Sequence, residues 1–408
     1  MTDRTIDPPT SAPLLPEGAV LLHIGPYKTG STAIQSALFA RRDELLKYGV
    51  AYPGNWRRLF GIGHALLRWA PRGHEVPDVE RWDRFAAKVR EMDDRRVCLS
   101  TEDFGRIRKP DRAHKIVTDL GPDRLHVVAV ARAYHRVLPS HWQERVKSHI
   151  TTSYEDWLRE VLGDDPTVDT HRAFHTSHDV RWMTSMWLPH LSPERFTLVV
   201  TDDTDRRLLP RTFEQMLGLP DEFLTLPDAA NASLSFQATE MLRAVNAGFE
   251  QRGWSDTAYT QFVQKGLVPA LQALARGPGE TPLPPLPSWA RDEVHRQSED
   301  RIAAIREAGV NVVGDPSVLL PPEVSDAPAS VPAVETLPLQ SAATAVLGVL
   351  ERAVEIEEQA RVRQAKVERA RPRAGTPRDT LVSKTSGRDL VRELVRRQRR
   401  RLRRGRRS

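Results

Sequence analysis

The run Leu125-His126-Val127-Val128-Ala129-Val130-Ala131 constrains the fold more than any other stretch of the chain. It is far too short to span a membrane and too rich in β-branched residues for a good helix. A strand without polar alternation is buried on both faces, which demands a mostly parallel sheet with helices on each side. Four more runs, 19–24, 50–53, 96–101 and 196–201, fit the same sheet. Helical patterns fall between them at 32–47, 82–92, 134–149 and 208–217, the last closed by Gly218-Leu219-Pro220. Pro139 lies inside the third and predicts a kink or a late start there. Strands alternating with helices predict the α/β class. Residues 231–247, 254–275 and 288–308 read as further helices, the last after a Pro-rich break at 277–287.

Composition divides the chain. The net charge is +6, yet 351–408 holds 20 Lys and Arg against 8 Asp and Glu, which leaves −6 on residues 1–350. The basic character therefore belongs to a tail, and it does not point to a folded nucleic-acid-binding domain. The expected organisation is a disordered leader at 1–17, a folded domain at 18–310 and a Pro/Ala-rich linker at 311–340. A helix at 341–371 and an Arg-rich tail at 372–408 follow, so the C-terminal extension is largely helical or disordered. In the 341–371 segment Val346, Val349, Ala353, Ile356, Ala360 and Val367 keep 3-4 spacing, broken by Arg363. That reads either as a short coiled coil pairing two copies or as one solvated helix. The single cysteine, Cys98, sits in an apolar run and reads as a buried, inert thiol. The polar, Pro-rich start and the absence of any long apolar run make the cytoplasm the expected compartment.

The stretch "HIGPYKTGST", residues 23–32, joins the first strand to the first helix. Gly25 and Gly30 keep the spacing of a phosphate-binding loop, but Ser31 stands where such a loop carries its lysine, and the lysine is Lys28 instead. A strand–loop–helix turn of this kind aims its amides and the helix N-terminus at one anion. Ser31 and Thr32 add hydroxyls in the first helical turn, and Lys28 adds a full charge near the apex. The expected core is thus a P-loop-like central parallel sheet flanked by helices.

Lys28-Thr29-Gly30-Ser31-Thr32 resembles the K-x-G-[ST]-T loop of sulfotransferases that use 3′-phosphoadenosine 5′-phosphosulfate (PAPS), and His23-Ile24-Gly25 with Gln35 is similar to the bacterial branch of that family. The resemblance implies transfer of a sulfuryl group from PAPS to a hydroxyl or amine, with 3′-phosphoadenosine 5′-phosphate (PAP) as product and no metal. It implies donor contacts from Gly25, Lys28, Thr29, Gly30, Ser31 and Thr32, with Lys28 neutralising the leaving oxygen. Arg132 at a strand end and Ser140 eight residues on resemble the family's 3′-phosphate signature, with Tyr134 standing where many members have proline. The likeness runs over 18–265 and includes 213–220 and Asn231…Leu234. Gln264-Lys265-Gly266 is similar to a late element that closes over the nucleotide, which makes Lys265 a candidate contact.

The acceptor must lose a proton, so a base is needed near the sulfur. Glu102 ends the third strand, where ligands of parallel sheets bind, and is the first candidate; His64 is the second. His23, inside a strand, reads as a core residue. His171, His175 and His178 keep i, i+4, i+7 spacing, so zinc is considered, but only Asp179 could complete a set and the H-E-x-x-H pattern is absent; they read rather as a solvated helix face lining the acceptor. Trp56, Trp69, Trp82, Trp157, Trp182 and Trp187 line either an acceptor cleft or the core. A carbohydrate or a small secondary metabolite is the expected acceptor. The rival readings are a P-loop small-molecule kinase, with Asp103 holding Mg²⁺, and a non-catalytic nucleotide-binding adaptor. The arginine block is expected either to stay solvated or to meet an anionic surface, such as the inner face of the membrane or a polyanion.

Overall fold

The computed structural model describes residues 12–370, apart from 55, 58, 60, 71–74, 226–232, 275 and 324–326. The tail at 372–408 lies outside the described residues. Six parallel strands form one sheet: β1 (Val20–His23), β2 (Val50–Ala51), β3 (Arg96–Ser100), β4 (Leu125–Arg132), β5 (Phe196–Thr201) and β6 (Asn311–Val313). Their order is β2-β3-β1-β4-β5-β6. Successive side chains of a strand point to opposite faces, so Leu22, Leu99, Val127 and Leu198 pack with Trp82, Phe104 and Trp187 on one side. Leu21, Cys98, Val128 and Val199 pack with Ile34, Leu38 and Phe213 on the other. Burying each such side chain contributes about 1.5–3 kcal/mol, and the two-sided burial explains why β4 reads as one apolar run. Burial also pushes the Cys98 thiol pKa up, as suits an inert thiol.

The helices that matter for the site are α1 (Ser31–Ala40), α2 (Tyr134–Lys147), α3 (Asp169–His178) and α4 (Ser288–Ala308); a further helix, α5, runs over Leu339–Ala370. A separate helical cluster joins Trp142, Trp157, Phe174, Phe236, Leu242 and Val294. Pro139 is carried inside α2, so the helix does not start late. The helix expected over 32–47 breaks at Arg41, whose φ of −108° and ψ of 15° leave the helical region; a short turn, Arg42–Leu45, follows. Helices at Pro110–Leu120, Tyr154–Leu162 and Val180–Trp187 were not expected.

Two expected boundaries move. Residues 12–17 belong to the fold, because Leu15 is buried and its N–H donates to the Met216 carbonyl at 2.9 Å. The described residues of 311–340 pack on the fold at several points. Asn311 pairs beside Thr197 as the edge strand β6, and Pro316 and Leu319 are buried. Gly314 then turns the chain at φ +95°, where a Cβ would collide with the Val200 carbonyl. Further on, the Val331 N–H donates to Glu155 Oε2 at 2.8 Å and the Ser288 N–H to the Pro328 carbonyl at 2.8 Å. A Pro-rich chain is already extended, so laying it on a surface costs little entropy. The chain divides into a unit ending at Val349 and a second beginning at Leu350. Among the described residues no helix is long and apolar enough to cross a membrane.

Candidate active site

β1 lies between β3 and β4, and the chain leaves β1 toward one edge of the sheet and β4 toward the other. The crevice beyond their carboxyl ends is where parallel sheets bind ligands. The turn leaving β1 bends at Gly25 (φ +83°), Lys28 (φ +67°) and Gly30 (φ +95°). Gly25 has a packing reason as well: a Cβ there would lie 2.9 Å from Glu102 Cγ. Thr29 Oγ1 and Ser31 Oγ donate to the Pro26 carbonyl at 2.7 and 3.1 Å. These two hydroxyls brace the turn rather than face outward, while Thr32 is exposed. α1 begins with no side-chain cap and no acid in its first turn, so its positive end faces the crevice uncompensated.

Lys28 Nζ pairs with Glu144 Oε1 of α2 at 2.9 Å. Glu144 also holds Lys147. Burial alone would raise the Glu144 pKa, but the two ammonium groups outweigh it and hold the carboxyl below its ordinary value. Arg132, at the end of β4, donates to the Lys28 carbonyl at 3.1 Å and to Asp203 Oδ1 at 2.6 Å. Ser140 is one to two turns into α2 and donates to the Val137 carbonyl of its own helix at 3.0 Å. The structure thus brings Lys28 and Arg132 together, and sets Ser140 on the adjoining helix.

Glu102 is only 3% exposed and packs beneath Gly25. Its charge, after burial and Cys98, helps to raise the Tyr52 pKa. Asp103, the next residue, is built into a network that sequence reasoning missed. It lies 3.4 Å from His64 Nε2 and accepts from Tyr27 Oη at 3.1 Å and Thr101 Oγ1 at 3.1 Å. Burial pushes its pKa up, but these partners, His64 first, hold it below the ordinary carboxylate value. In this structure His64, Tyr27 and Thr101 take up its oxygens; its signals in the sequence were its place just past the third strand and its adjacency to Glu102.

Other expectations meet definite outcomes. His23 is a core residue: its Nδ1 lies 2.8 Å from Ser100 Oγ and burial lowers its pKa to about 4. The histidines of α3 do not form a solvated face, since His178 is buried and His175 Nε2 meets the Val161 carbonyl at 3.0 Å. Among the described residues no cluster of His, Cys, Asp and Glu could hold a metal. Trp82, Trp157 and Trp187 are fully buried, and Trp182 donates to the Ile107 carbonyl. Trp56 and Trp69 are the exposed ones of the six, and Trp69 takes His64 edge-on at 4.9 Å. Lys265 is exposed, and among the described residues no hydrogen bond or ion pair joins it to the 25–30 turn. Arg301 of α4, 4% exposed, had no signal in the sequence. Its guanidinium stacks 3.9 Å over Tyr134 and donates to the carbonyls of Arg132 and His178, so it buttresses the end of β4. Compared with known proteins, the chain matches no family model and no curated protein.

Proposed function

We propose that the chain is a PAPS-dependent sulfotransferase with a P-loop-like core. The observation that carries this reading is the contact of Arg132 with the Lys28 carbonyl. It sets a lysine at the apex of the anion-binding turn beside a second cation at the next strand end. A donor with separate 5′ and 3′ anionic groups suits that pair better than a nucleotide with one phosphate chain. Bound PAPS supplies a sulfuryl group activated on its 5′-phosphate. The turn amides and the start of α1 hold that phosphate, and Arg132 takes the 3′-phosphate, with Ser140 rotating its hydroxyl off Val137. The acceptor oxygen or nitrogen bonds to sulfur, the sulfur–oxygen bond to the 5′-phosphate breaks, and PAP leaves with the electron pair. Lys28 leaves Glu144 to neutralise that oxygen. His64 takes the acceptor proton, its ring oriented by Asp103 as a general base requires. The acceptor is a carbohydrate or small metabolite, and no step uses a metal.

PAP raises the melting temperature more than ADP does; ligand at 100 times its dissociation constant adds about 2.7 kcal/mol of stability. An equal response to ADP favours the kinase reading. The base is assigned by a pair of variants. His64→Gln lowers turnover by roughly 10²–10⁴-fold with PAP binding intact, whereas Glu102→Gln costs much less. The opposite ranking transfers the role to Glu102.

A further inference from the structure

Side chains that the transfer chemistry leaves unused gather around Tyr27 and Lys28: Arg106 lies over the Tyr27 ring, and His141 and Arg145 stand on α2, whose Glu144 holds Lys28. Arg106 comes from the turn after β3, His141 and Arg145 from α2, and His178 from α3. The carboxylates in reach are already engaged: Glu144 by Lys28 and Lys147, and Asp103 by His64, Tyr27 and Thr101. Among the described residues neither Arg106 nor Arg145 has an ion pair or a hydrogen-bond acceptor. Arg106 lies 5.8 Å from the Tyr27 ring centroid and 5.3 Å from that of Trp69, which is 41% exposed and marks the mouth of the cluster. Deeper in, the His141 and His178 rings meet edge to face at 5.6 Å. Their Nδ1 and Nε2 atoms, respectively, are buried with no hydrogen-bond partner among the described residues.

Such a cluster works against folding. Burial first, and then the charge of Arg106, lower the Arg145 pKa. Burial, then Arg145, Arg106 and Lys28, lower that of His141 to about 3. Like charges crowded without a counterion cost stability, and an anion from outside relieves that cost. The donor's two anionic groups are already provided for by the 25–30 turn and by Arg132. Trp69 meanwhile touches both His64 and Arg106, so the proposed proton acceptor and Arg106 border one surface.

We propose that Arg106 and Arg145 bind an oxyanion group of the acceptor, so that the acceptor is an anionic molecule with its hydroxyl or amine close to a carboxylate, sulfate or phosphate. This rests on the transfer reading. The test uses the full-length protein, labelled PAPS and a metabolite extract of the host cells, split at neutral pH by anion exchange into retained and unretained fractions. Label enters products of the retained fraction. Arg106→Gln and Arg145→Gln reduce that labelling about 10- to 100-fold, the worth of a hydrogen bond to a charged group, and Arg145→Lys restores part of it. All three variants keep the PAP-induced rise in melting temperature, which shows that they are folded with the donor site intact. Label in the unretained fraction instead, or undiminished labelling by both glutamine variants, overturns the proposal. So does a rise in the KM for PAPS equal to the loss, which would assign the arginines to the donor. A protein that gives no PAP shift loses the transfer reading first; one that binds PAP but labels neither fraction loses both.

Discussion

Lys28→Ala lowers turnover at saturating PAPS by on the order of 10²–10³-fold while the affinity for PAP changes by less than tenfold. In the proposed transfer the charge that Lys28 meets develops only as the sulfur–oxygen bond breaks, so its loss would be felt in the transition state more than in the bound ground state. The fold should survive. Lys28 is partly exposed, its backbone already sits at φ +67°, which alanine adopts at a similar cost, and Glu144 keeps Lys147 as a partner. Arg132→Ala is the opposite control: PAP affinity falls about 10- to 100-fold through loss of a charged phosphate contact. Steady-state kinetics beside calorimetric PAP titration separate the two. If Lys28→Ala weakens PAP binding as much as it slows turnover, the lysine is a ground-state anchor and the leaving-group role is wrong.

Acidification from pH 7 to pH 5 lowers the stability of the ligand-free protein by about 5 kcal/mol. Burial lowers His23 and His126 to about 4 and His141 to about 3, with Arg195 adding to the effect at His126. His178 is pushed down by burial first and then by His141. Each is neutral in the fold and titrates near 6.5 once unfolded, so the unfolded chain takes up protons that the native one refuses. The stability these residues contribute is full above pH 6.5 and is lost as pH falls toward 4. For His23, His126 and His141 the loss by pH 5 is about 1.8 kcal/mol each, or about 5 kcal/mol together, against a typical total of about 5–15 kcal/mol. His178 acts in the same direction. Urea unfolding at pH 7, 6 and 5 reads the effect, and a midpoint that stays constant over that range would show that the burial of these imidazoles is relieved in solution.

The layered α/β arrangement was legible because its signals are local. A strand buried on both faces must be apolar throughout, and β4 and β5 are; 196–201 coincides with Phe196–Thr201. Asn311–Val313 is too short to show any period, and only its pairing with β5 makes it a strand. The helix at Tyr154–Leu162 carries a local signal of its own, the Ser153 cap ahead of Glu, Leu and Arg, whereas in Val180–Trp187 the tryptophans, threonine and serine have no strong local preference and burial against distant residues decides the structure.

Within the site the same division holds. The turn at 23–32 is contiguous, so its glycines, hydroxyls and displaced lysine could be read directly, and Arg132 and Ser140 are related by their position on a strand and the helix that follows. By itself the sequence determined that a glycine turn with a lysine at its apex joins the first strand to the first helix. Tertiary structure alone decided how the groups of the site are held: Lys28 on Glu144, His64 on Asp103 and Arg301 beneath Arg132 join residues from separate segments. It also turned Glu102 under Gly25 and, among the described residues, left Arg106 and Arg145 without an ion pair. The physical reason is range. Backbone preference acts over a few residues and leaves its pattern in the chain, whereas charge pairing and burial depend on distances that exist only once the sheet has formed.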